Sequence, residues 1–221
     1  MNDSNILPIP SGSFFGDFVL LPEGCQNTKN KLCTLKGILT YVSSRNGWVW
    51  QTDEWAGTTG GTSKSGTTDG ASIPKWAQPI FGRQYDMSYL KAAILHDHYC
   101  YEENQVRTWQ DTHLMFYDAL IDLGVNKIKA KAMYFAVYWK GPRWEKTVSG
   151  DRCTDSFRGK ICIKSSFRIT EVRLEEAMYG SEGFDKKLLQ VHNIVEKNPE
   201  ISLEKLEAIA HELELNRSLQ D

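Results

Sequence analysis

The sequence predicts an α+β fold, with antiparallel β-hairpins at the N-terminus, a three-helix core over residues 86–140 and helices again at the C-terminus. Three observations carry this. Asn46-Gly47 lies between two strand-like runs in "GILTYVSSRNGWVWQT", the strongest short hairpin signal. From 86 to 139 the apolar residues recur at helical spacing. The tail from about 185 to 219 repeats its apolar residues at the same spacing on either side of Asn198-Pro199.

Taken in order, residues 1–56 read as β structure, and 57–70, "GTTGGTSKSGTTDG", as a surface loop of Gly, Ser and Thr. "DGASIPKWAQPIFG" carries two prolines and a terminal glycine, which predict a structured turn with a short helical piece before Gly82. The first core helix spans 86–103. It has Leu90, Ala93, Ile94 and Tyr101 on one face, and Asp86-Met87-Ser88 offer N-caps. The second spans 108–123, capped by Thr108 and ended by Gly124. The third spans 126–139 and stops at Gly141-Pro142. "GKICIKSSFRIT" reads as a strand or hairpin arm. In the tail, Ser202 is an N-cap and Glu204 falls in the first turn, where a carboxylate suits the helix dipole. This divides the chain into one α+β catalytic-type domain over 1–180 and a helical extension over 181–221.

Composition narrows the function. The chain of 221 residues carries a net charge of −2 and no basic stripe interleaved with aromatics, so nucleic acid is not the expected partner. No apolar run is long enough for a transmembrane segment. "MNDSNILPIPSGSFFGDF" lacks a basic n-region and a continuous apolar h-region, so no signal peptide is expected. Cys25 with Cys33 and Cys153 with Cys162 form two short-loop pairs, while Cys100 stands apart. Two disulfides and one thiol suit an oxidising compartment; five reduced thiols suit the cytosol. Disulfides without a signal peptide imply cytoplasmic synthesis followed by specialised secretion or phage lysis, into the periplasm or beyond.

The candidate site lies in "AILHDHYCYEEN", residues 93–104. On a helix, His96 and Cys100 face one way, and Asp97 and Tyr101 another. A shielded histidine suits a general base, and the adjacent aspartate suits a metal ligand or a substrate contact. Consecutive helices with short connections lie antiparallel, so His113 or Asp111 of "QDTHLMF" can face His96. Two histidines and a carboxylate suit zinc. Asp97 with Asp69 and the Gly70 backbone suits calcium. The spacing leaves both metals open. Ser72, Trp76, Tyr99 and Tyr101 are the expected substrate contacts. The plain alternative is a buried hydrogen-bond network that fixes the packing of two helices.

Four pieces in order, Asp69–Pro74, Ala92–Asp97, Phe116–Val125 and Ala132–Gly141, give the chain a resemblance over residues 66–142 to an uncharacterised domain family. That family is common in phages, prophages and secretion-associated proteins. The D-G turn, the H-D helix with its nearby tyrosine and the second helix also resemble bacterial secreted phospholipases A2. That likeness implies His96 as the water-activating base, Asp97 as a calcium ligand, and Gly70 with its neighbours as the calcium loop. The chain departs from the pattern at Ala71, Cys100 and His113, and a second histidine favours a transition metal over calcium.

The functional expectation is a hydrolase working by phospholipase- or esterase-like water attack on a lipid or cell-envelope substrate. The alternatives are a zinc-dependent peptidoglycan hydrolase, an antibacterial effector with an immunity or secretion partner, and a non-enzymatic phage structural or partner-binding protein.

Overall fold

In the computed structural model, residues 10–21, 33–54, 66–71, 73, 77–145, 150–156, 159–165, 172–175 and 183–218 are described. The N-terminal region forms two small antiparallel sheets that share a bent pair of strands. β1 (Ser13–Phe15) pairs with β4 (Thr40–Val42), and β4 with β5 (Val49–Gln51). β2 (Phe18–Leu21) pairs with β3 (Cys33–Gly37), and β3 with β6 (Thr67–Thr68). The bend falls at Gly16 and Gly37, which have φ of 95° and 87°. A Cβ at either would stand 2.0 or 2.1 Å from the facing carbonyl oxygen of Ile38 or Asp17, so no side chain fits there. The Asn46-Gly47 signal marks a real turn, with the Asn46 side chain accepting from the Trp48 N–H. Its connection is longer than two residues.

The helices follow. α1 (Gln78–Phe81) is a single turn. α2 (Leu90–Cys100) is buried on nearly every side and starts later than the sequence predicts. Asp86 and Ser88 look like caps, but Asp86 spends its carboxylate on the Ser88 N–H in a turn that precedes the helix. α2 ends where Tyr101 becomes extended, and a 3₁₀ turn (Glu102–Asn104) leads on. α3 (Trp109–Asp122) starts at its Thr108 cap. It closes with Val125 N–H bonded to the Leu120 carbonyl across Gly124. α4 (Lys127–Lys140) is capped by Asn126 and packs between α3 and the tail.

β7 (Arg143–Glu145) pairs with β10 (Val172–Glu175). β8 (Gly150–Ser156) and β9 (Gly159–Ser165) form a hairpin, so the predicted arm is one half of it. α5 (Phe184–Lys197) and α6 (Leu203–Ser218) share the core of the central helices. Phe184 stacks on Trp139 with ring centres 5.6 Å apart. The buried Lys131 ammonium donates to the carbonyls of Pro199 and Ile201, and Tyr134 donates to Glu207 at 2.6 Å. Arg143 pairs with Glu214 at 2.6 Å. The hairpin is tied to α3 by Arg45, which bonds Asp118 through two nitrogens at 2.7 Å, and by Tyr41, which donates to Asp122 at 2.6 Å. No helix among the described residues is long and apolar enough to cross a membrane.

Candidate functional site

α2 lies between α3 on one side and β6 on the other, and its last turn presents different chemistry to each. Successive helical residues are about 100° apart. His96 and Cys100 therefore share the α3 side, while Asp97 turns toward β6.

On the α3 side, Thr108 sets the start of the helix so that His113 falls in its second turn, fully buried. His96 Nε2 lies 2.8 Å from His113 Nδ1, and the two rings are tilted by 32°. The Cys100 sulfur stands 3.7 Å from His96 Nε2 and 3.8 Å from its Nδ1. Phe116 packs on His96, and Trp109 and Trp144 pack on His113. Gly141 ends α4 hard against this cluster. A Cβ there would meet the Val137 carbonyl at 2.2 Å and the His113 ring at 3.0 Å. Burial lowers the His96 pKa to about 4. Burial, then His96 and then Arg143, holds His113 well below the ordinary imidazole range. Both rings are neutral at pH 7. Among the described residues His113 Nε2 has no hydrogen-bond partner of ordinary geometry, and the nearby Pro142 carbonyl favours a charged ring.

On the β6 side, part of Asp97 reaches the surface but its carboxyl group is enclosed. The Thr68 hydroxyl donates to Asp97 Oδ2 and accepts from the Gly70 N–H at 2.9 Å. Asp69 follows Thr68 in the chain, and its charge acts on the Asp97 carboxyl group. Burial and the Asp69 charge raise Asp97 well above the ordinary carboxylate range. Gly70 takes φ of 75° in the turn that follows. Tyr101 borders this face, with its hydroxyl 3.3 Å from that of Thr67.

The structure thus brings His96 together with His113, and Asp97 together with Asp69 and Gly70. It does not bring in Asp111. That side chain accepts from the Thr108 hydroxyl at 2.6 Å and belongs to the helix cap. Tyr99 is buried against Trp50, and its hydroxyl is held between the N–H and carbonyl of Gln51. Ser72, Trp76 and Cys25 lie outside the described residues. Cys33 is disulfide-bonded. Cys153 stands opposite Cys162 in the β8–β9 register, and their side chains lie outside the described set. Cys100, which keeps its thiol, and Thr68 belong to the site and were not selected from the sequence. For Cys100 the four-residue spacing from His96 was the available signal.

No solved structure matches the chain. An uncharacterised protein, y4iH, of Sinorhizobium fredii (strain NGR234) is 36% identical over 191 residues, 85% of this chain and 73% of that protein. A second uncharacterised protein of that strain, y4jT, is 43% identical over 114 residues, 50% of this chain and 33% of its own length. The profile of a protein family of unknown function, DUF1353, matches residues 51–137, which include α2, α3 and both faces of the site. The chain belongs to the DUF1353 family of proteins of unknown function.

Proposed function

We propose that the protein is a hydrolase that activates water at His96 and acts on ester bonds of a lipid or cell-envelope substrate. The 2.8 Å contact between His96 Nε2 and His113 Nδ1 carries this reading. If Nε2–H donates to His113, the Nδ1 of His96 holds the lone pair that a general base needs. His113 is then the positioning residue, fixing tautomer and ring orientation. A cluster of strongly shifted titratable groups at the end of one buried helix supports the same reading.

Asp97 and Asp69 are the residues that would hold a hard divalent cation. Two crowded carboxyl groups in an enclosed place favour either a shared proton or a cation, and their oxygens suit calcium. Such an ion would steady negative charge developing on the substrate. The test is fatty-acid release from phospholipid vesicles, with calcium and with chelator, across pH. Wild type should be active with calcium, and His96→Ala inactive while folded. No release by folded wild type under any of these conditions sinks the lipid-ester reading.

The burial of the pair favours a second reading, a non-enzymatic partner-binding protein in which the histidines only lock α2 to α3. His96 is 6% exposed and His113 0%. Loss of cooperative unfolding in His96→Ala, with no activity in wild type, selects this reading.

A further inference from the structure

We propose that His96, Cys100 and His113 form a binding site for a transition-metal ion of the zinc class. The inference stands on the geometry of three side chains and does not require the protein to be a hydrolase. One donor atom from each of the three lies within 4.8 Å of those of the other two, and all three residues are buried.

Two of the three edges are close to what an ion needs, and the third, from the Cys100 sulfur to His113, lies within 4.8 Å and must close toward the first. Zinc bonds of about 2.3 Å to sulfur and about 2.0 Å to nitrogen, at a tetrahedral angle, give a sulfur–nitrogen edge of about 3.6 Å and a nitrogen–nitrogen edge of about 3.3 Å. The sulfur stands 3.7 Å from His96 Nε2. The two imidazole nitrogens are 2.8 Å apart, so they must open by about half an ångström. That movement exchanges one hydrogen bond for two metal bonds. The sulfur is nearly equidistant from both nitrogens of His96, at 3.7 and 3.8 Å. It is therefore not aimed at one lone pair, as it would be in a thiol–imidazole relay.

The protons balance. In the metal-free state one ring nitrogen of the pair donates to the other. On binding, His96 Nε2 and His113 Nδ1 become the ligands, so the ring that donated moves its proton to its other nitrogen, leaving His96 protonated on Nδ1 and His113 on Nε2. The Cys100 thiol releases one proton and binds as thiolate. His113 Nε2 then becomes a donor near the Pro142 carbonyl, the kind of outer contact that orients metal-bound histidines. A thiolate with two imidazoles selects zinc, cobalt or copper(I) over calcium or magnesium. Three protein ligands leave a fourth position.

The experiment is cobalt(II) titration of the purified protein with its Cys33 disulfide intact, wild type beside Cys100→Ser, followed by visible and near-ultraviolet spectroscopy and elemental analysis. One ion per chain is expected in wild type, with the visible bands of a tetrahedral site, a near-ultraviolet sulfur-to-cobalt band and release of one proton. Zinc should displace the cobalt. Cys100→Ser, folded by circular dichroism, should lose the sulfur band. Folded wild type without tetrahedral bands overturns the site. So does a sulfur band that survives in Cys100→Ser, because the ion then sits on other thiols.

Discussion

The two faces of α2 differ by one residue in sequence and by nearly everything in chemistry. The His96 face holds two neutral imidazoles and a thiol, soft donors among Phe116, Trp109 and Trp144. The Asp97 face holds two carboxyl groups and hydroxyls, hard donors at the end of a β-strand and its turn. The 100° step between adjacent helical residues separates them, and each face is completed by a different element: α3 for the first, β6 for the second. Burial moves the two faces in opposite directions, since it disfavours charge on either. It lowers the histidines and raises the aspartate.

The largest effect is expected on the imidazole face. His113→Ala removes a fully buried ring and leaves His96 Nε2 without its partner. The cavity and the lost hydrogen bond together should cost about 2–4 kcal/mol of stability. Denaturant unfolding measures it. A loss below about 1 kcal/mol would mean that the α2–α3 contact does not depend on the pair.

The pH dependence of stability separates the faces without mutation. His96 has a folded pKa of about 4 against an ordinary 6.5, so between these values the unfolded chain binds more protons. Stability from this group is present above pH 6.5 and is lost as pH falls toward 4, by roughly 3 kcal/mol in all. His113 acts in the same direction. For Asp97 the folded pKa is raised, so the folded chain binds more protons, and stability falls as pH rises above the ordinary carboxylate range. Calcium should oppose that second loss and leave the first untouched. A calcium effect confined to pH below 6 would contradict the assignment of the two faces.

Asp97→Asn sharpens the contrast, because here removing a charge should help the fold. The amide can still accept from Thr68, and it can donate to Asp69 in place of repelling it. Stability at pH 8 should be unchanged or higher by about 1 kcal/mol, while calcium-dependent activity is lost. A large destabilisation would mean that the Asp97 carboxylate is paired rather than crowded.

How much of this was legible in the sequence follows from how local each feature is. The helices were readable because spacing and the caps at Thr108 and Ser202 are local. The facing of His96 and His113 followed from the short connection between their helices. Cys100 shares the face of His96 by spacing alone, but its part as a donor depends on His113 arriving from α3. The start of α2 was misplaced because Asp86 and Ser88 serve a turn with the same chemistry as a cap. β6 was illegible, since Thr67 and Thr68 become a strand only by pairing with Cys33 and Thr34, more than thirty positions earlier. The Asp97–Asp69 pair had been expected as ligands, but its crowding depends on that pairing too.

The smallest expected effect decides which acidic or basic group serves His96. Asp111 and His113 are two residues apart, so their side chains leave α3 about 200° apart and only one can face α2. The sequence left the choice open. The structure gives it to His113 and sets Asp111 on the Thr108 cap, where its carboxylate also meets the positive end of the helix. Asp111→Ala should therefore cost about 0.5–1 kcal/mol, the usual range for a first-turn cap contact. It should leave the pH profile of hydrolysis and the cobalt spectrum as in wild type. A shifted acid limb in Asp111→Ala would mean that α3 is rotated from the position described, and that the 2.8 Å histidine contact is not the one that positions the base.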